Sequence, residues 1–184
     1  MMQNSERERQ NNFFDTCHKC ETAYSCCHDT TPPITQDRRK IIEHYLKEKR
    51  IHIADPFVKT EYVFPKLNPD GYCIFQDHKT RKCLIHSVKP ETCVAGPITF
   101  DINVKTGKIE WYVKMETLCH LAGVVYENKE LLKKHLASAK KEVSRLVDGL
   151  DAEDLRAILK KQEPETFKID EEAVDRKVSN KLTA

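Results

Sequence analysis

The chain has 184 residues and a mass of 21.4 kDa, the size of one ordinary domain with extensions. Its 31 Lys and Arg against 29 Asp and Glu leave a formal net charge of +2, which speaks against a nucleic-acid or membrane-surface binder working through basic excess. Only 39% of residues are hydrophobic and 33% are charged, so the expected core is small, with part of the chain outside it.

No stretch approaches the ~18 apolar residues of a membrane span. The segment Met1 to Phe14 carries Glu6, Arg7, Glu8 and Arg9, which is not the pattern of an export signal. A soluble, cytoplasmic protein is expected, with residues 1–14 as a disordered arm.

Thr35 is placed to cap a helix over residues 36–50, with Ile41, Ile42, Tyr45 and Leu46 on one apolar face. Short strands are expected at Tyr62–Phe64 and at Tyr72–Phe75, the latter after the turn Pro69-Asp70-Gly71. Residues 97–104 and 108–115 flank Lys105-Thr106-Gly107 as a hairpin. Trp111 and Val113 alternate with Tyr112 and Lys114, so one face of that ribbon can be buried. From about Asn128 to Val147 the apolar residues follow helical spacing. Gly149 ends that helix, and Asp151 caps a shorter one carrying Leu155, Ile158 and Leu159. The tail after Phe167 is charged and expected to fray. Cysteine content breaks near Gly123, which divides the chain into 1–14, a metal-binding part at 15–122, and a helical extension at 123–184. The fold class expected is α+β: a small irregular cysteine-rich domain with short strands and a hairpin, then helices.

The eight cysteines amount to roughly 4% of the chain, below the ~8–10% of a disulfide scaffold. In a reducing compartment, cysteines grouped in motifs read as metal ligands. Cys17-x-x-Cys20 is followed after five residues by Cys26-Cys27; Cys73, Cys83, Cys93 and Cys119 are separated by nine, nine and 25 residues. The first spacing lets two thiolates converge locally, whereas the second set can meet only through the fold. Neighbouring side chains in an extended segment diverge, so Cys26 and Cys27 are expected to serve two sites, or one to ligate while the other packs. Eight thiolates support two Cys₄ zincs, or a zinc and an iron–sulfur cluster; four with spare thiols suit one [4Fe–4S] cluster. His18, His28, His86 and His120 lie near the set in sequence; any of them could substitute as a ligand, since zinc and some iron–sulfur sites accept imidazole, but each singly is read as a surface or supporting residue. His44 and His135 are read as surface residues.

Together with Gly71-Tyr72-Cys73-Ile74-Phe75-Gln76-Asp77, Cys83-Leu84-Ile85-His86 and Lys89-Pro90-Glu91-Thr92-Cys93, this pattern resembles the YkgJ-type cysteine-cluster family over about residues 17–120. That resemblance implies a zinc- or iron-chelating domain with eight cysteines, and its flagellin lysine N-methylase relatives look like iron–sulfur proteins. The chain departs from the family's usual Cys-x-x-Cys-x-x-Cys-Cys, and carries Lys89 and Val94 where the family commonly has Arg.

The function expected is therefore metal binding by Cys17, Cys20, Cys26, Cys27, Cys73, Cys83, Cys93 and Cys119, through iron–sulfur or zinc, in a structural or redox role. The resemblance adds an alternative, an S-adenosylmethionine-dependent protein lysine N-methyltransferase with a [4Fe–4S] cluster. A third reading is a zinc-stabilised module presenting its C-terminal helices to a protein partner. Whether the protein is an enzyme stays open here, as does the choice of iron or zinc. The five dispersed glycines supply no glycine-rich cofactor loop.

Overall fold

The structure is a computed structural model and describes residues 17, 20, 26–161 and 165–183. The expected arm over 1–14 and the candidate His18 lie outside the described residues. The fold is α+β, built from helices and two small antiparallel sheets.

Helix α1 spans Gln36–Glu48, and the Thr35 side chain accepts a hydrogen bond from the Arg38 N–H, as an N-cap does. Ile42 and Leu46 are buried, whereas Ile41 is 49% exposed and falls outside the packed stripe. Strands β1 (Phe57–Lys59) and β2 (Val63–Pro65) form a short antiparallel pair. The expected strand at Tyr72–Phe75 does not form. Gly71, with φ of +82°, turns the chain there, and Tyr72 and Cys73 make single bridges to His28 and Leu67. The segment is a strap between loops, which explains why its β-like composition misleads.

A 3-10 turn at His86–Val88 leads into α2, Glu91–Ala95. Strands β3 (Ile98–Asn103) and β4 (Lys108–Lys114) make the hairpin, with Ile98 opposite Val113 and Asn103 opposite Lys108. Then come α3 (Ala122–Tyr126), α4 (Lys129–Gly149), capped by Asn128, and α5 (Ala152–Leu159), capped by Asp151.

The charged tail does not fray as its composition led us to expect. Residues Thr166–Ala173 form β5, which pairs antiparallel with β4, and Arg176–Thr183 form α6. Cross-strand partners take up its charges: Lys168 meets Glu110, and Lys140 on α4 meets both Asp170 and Glu172. The Trp111 indole N–H also donates to Glu172. Such pairs become visible only once β4 and β5 are side by side.

The sheet order is β3-β4-β5, and the main core lies between this sheet and α4. Ile98, Trp111 and Val113 of the hairpin pack with Ala139, Val143 and Leu146 of α4, and with Leu155 and Val178. This core runs across residue 123, where the cysteine content breaks, because α4 lays its apolar stripe on α2 and the hairpin. A second, smaller core joins Ile34, Ile42 and Leu46 to Phe75 and Ile85. It underlies the loops that carry Cys73 and Cys83. Among the described residues no helix is long and apolar enough to cross a membrane.

Candidate metal centre

Four separate pieces of backbone bring the cysteines together. At the first, the Cys20 N–H bonds back to the Cys17 carbonyl, and Cys26-Cys27 follow in a turn. The Cys73 N–H donates to the Cys27 carbonyl at 2.8 Å, tying the second piece to the first. Cys83 bridges Gln76 across a tight loop whose tip is held by Asp77, its Oδ1 accepting from the Lys79 and Thr80 N–H groups. Asp77, an isolated carboxylate in the sequence, is thus a turn staple. Cys93 sits on α2, directly after Pro90, and Cys119 on the turn leading from β4 to α3.

All eight sulfurs line one cavity of about 450 Å³. All are free thiols; Cys26 is exposed and the others half-buried. Tyr62, Phe75, Ile85 and Phe100 contribute apolar wall, and Ile158 and Leu159 at the end of α5 close another side. Hence residues from the C-terminal part belong to the same cavity as the cysteines. Among the described lining residues the cations Arg81, Lys82, Lys89, Lys114 and Lys161 face a single carboxylate, Asp29.

Cys26 and Cys27 do not diverge as neighbours in an extended segment would. They lie in a turn, and their sulfurs are 4.0 Å apart. Two thiolates on one tetrahedral zinc, at about 2.3 Å each, would be about 3.8 Å apart, so this pair fits a shared ion or cluster. Among the described residues, no three Cys, His, Asp or Glu side chains are yet gathered closely enough to hold an ion. Ligation would draw the thiol ring inward from the positions seen here.

The thiols are electrically unequal. The hydrogen bond with Cys27 lowers Cys26 to about 6, and Lys89 and Lys114 nearby add to that. The same bond and burial push Cys27 upward. Burial raises Cys83 to about 12 and Cys119 to about 11, and it also raises Cys17, Cys73 and Cys93. Buried thiols of this kind hold their protons until a cation displaces them.

The residue that sequence reasoning missed is Lys89. It is only 5% exposed, and its ammonium donates to the Cys17 sulfur at 3.5 Å. In the sequence its signal was its place where the resembled family commonly carries Arg. The histidines are arranged differently. His86 lines the cavity and is half-buried. His28 donates through Nε2 to the Asp70 carbonyl and pairs through Nδ1 with Asp29, while His120 is exposed. His135 is buried, not on the surface as its sequence context suggested: its Nε2 lies 3.0 and 3.1 Å from the Ala95 and Gly96 carbonyls. It joins α4 to the end of the helix that carries Cys93.

A family model described as "CxxCxxCC: Putative zinc- or iron-chelating domain" matches residues 16–120. The chain belongs to this family. The matched span contains all eight cysteines, and the CxxCxxCC motif appears with five residues in place of two before the final pair. Among curated proteins, one from Methanocaldococcus jannaschii, itself named as uncharacterised, is 32% identical over 95 residues, covering 50% of this chain. The chain spans about half, 48%, of that relative's length. No solved structure matches the chain. The CxxCxxCC assignment makes zinc or iron the relevant metals, and thiolate donors suit both zinc and iron–sulfur clusters.

Proposed function

We propose that this CxxCxxCC protein uses Cys17, Cys20, Cys26, Cys27, Cys73, Cys83, Cys93 and Cys119 as its ligand set for an iron–sulfur cluster or for zinc, in a structural or electron-transferring role. The observation that carries the reading is that eight thiols from four backbone segments line a single cavity, beside the buried Lys89 ammonium. Eight soft donors around one space favour a polynuclear centre over a lone Cys₄ zinc, with a [4Fe–4S] cluster the leading occupant and paired zincs the alternative. A cytoplasmic setting, where thiols stay reduced, suits such a ligand set. The reading assigns no group-transfer step. A docking role for the C-terminal helices has weaker support, because α4 gives its apolar face to the core.

The test is anaerobic purification followed by iron, zinc and acid-labile sulfide analysis with a visible spectrum. Iron and sulfide in equal amounts with broad absorbance near ~400 nm support the cluster. Zinc without colour or sulfide supports the paired zincs. Protein that cannot be loaded with either metal under reducing conditions overturns the reading.

A further inference from the structure

We propose that Lys89 is a positioned counter-charge for the metal–thiolate centre, a buried ammonium set against the thiols that would hold the metal. This rests on the metal reading above and concerns a residue that the reading does not use as a ligand.

A buried ammonium is costly unless an anion accompanies it. Lys89 is 5% exposed, and the Cys17 sulfur lies 3.5 Å from its Nζ. It lines the same cavity as all eight cysteines, so a charged metal–thiolate centre there would supply that anion.

The placement is rigid from behind. The Arg38 guanidinium donates to the Lys89 carbonyl at 3.1 Å, and Arg38 is itself held by Glu142 at 2.6 Å. Pro90 restricts Lys89 to an extended backbone, observed at φ −56° and ψ 160°. A side chain serving only as apolar filler has no need of a charge, whereas a thiolate centre does. Eight thiolates around two divalent ions carry four net negative charges, and a [4Fe–4S]²⁺ cluster with four thiolates carries two. In both cases a fixed cation stabilises the loaded state and opposes loss of metal.

The experiment compares the full-length wild type with Lys89→Met, Lys89→Gln and Lys89→Arg. Each is loaded with zinc, and zinc affinity is read by competition with a chromophoric chelator; thermal melting confirms folding. The expected result is a 10- to 100-fold loss of affinity in Lys89→Met, the range typical of residues that support metal ligands, with affinity largely kept in Lys89→Arg. Should Lys89→Met fail to fold, Lys89→Gln is judged against Lys89→Arg by the same standard. Neutral variants that bind as tightly as wild type overturn the inference while leaving the metal reading standing. So does an Arg variant as weak as the neutral ones, which would make shape, not charge, the requirement. A wild type that can be loaded with neither zinc nor iron under reducing conditions overturns both. If the native centre is an iron–sulfur cluster, removing the charge should also lower its reduction potential, because the more negative reduced state loses its nearby cation.

Discussion

Arg38, in the first turn of α1, binds Glu142 on α4 at 2.6 Å, across 104 positions of sequence. Both side chains are 12% exposed. The same guanidinium holds the Lys89 carbonyl and stands 3.7 Å from Glu91. This one side chain therefore connects the small core under the cysteine loops to the long helix of the main core. Removing one partner of a largely buried pair leaves the other charge uncompensated. Glu142→Gln is expected to destabilise the fold by about 3 kcal/mol, measured by urea unfolding, with Arg38→Gln similar. Variants within about 0.5 kcal/mol of wild type would show the pair to be a surface contact in effect.

A second bridge between the same two parts is steric. Gly149 ends α4 against Thr35, and a Cβ there would lie 2.7 Å from Thr35 Cγ2. Thr35 cannot easily turn aside, because its hydroxyl donates to Glu91 and accepts from the Arg38 N–H. Alanine in place of glycine ordinarily stabilises a helix by about 1 kcal/mol. Here Gly149→Ala is expected to cost about 1–3 kcal/mol, as overpacking does. The companion Gly149→Ala/Thr35→Ser, which removes the clashing methyl, should recover most of that loss; a stabilised single variant would contradict the close approach.

His135 makes stability depend on pH. Burial holds its imidazole below the ordinary 6.5, so above that value it is neutral in both folded and unfolded chains. As pH falls below 6.5 the unfolded chain takes up the proton first, and stability declines until the folded imidazole is protonated as well. The decline can reach about 1.4 kcal/mol per pH unit for a single group. Glu91, raised by burial, works in the opposite direction above its usual 4.5, so the comparison must be made against a variant. The difference in urea midpoint between wild type and His135→Gln should shrink from pH 7.5 to pH 5.5; a constant difference would mean that the imidazole titrates normally.

Metal removal should be felt unevenly. The loops bearing Cys73 and Cys83 rest on the small core of Ile34, Ile42, Leu46, Phe75 and Ile85, whereas the sheet and α4 share a larger one. Chelation of the loaded protein is expected to raise hydrogen exchange at least tenfold in residues 26–88, with β3, β4 and α4 much less affected. Uniform protection before and after chelation would show that the loops hold themselves.

The helices were legible in the sequence because each announces itself locally. Thr35, Asn128 and Asp151 all cap as their residue types prescribe, and the Lys105-Thr106-Gly107 turn sets the hairpin. The α+β class and the family follow from such signals and from cysteine spacing. What stayed hidden depends on distant pairing. β5 looks like a solvated tail until Glu110, Lys108 and Lys140 stand opposite its charges. The convergence of Cys26 and Cys27 depends on a turn that an extended reading cannot supply. The burial of His135 did have a signal, since Ala139, Val143 and Val147 repeat every four residues from it.

The wall of the cavity made by Ile158 and Leu159 follows the last cysteine, Cys119, by about forty residues. During synthesis at roughly 5–20 residues per second, the full complement of thiols emerges several seconds before the wall that shuts them in. The nascent protein thus passes through an interval in which every thiol is present and this wall is not, a window for loading if the proposed function holds.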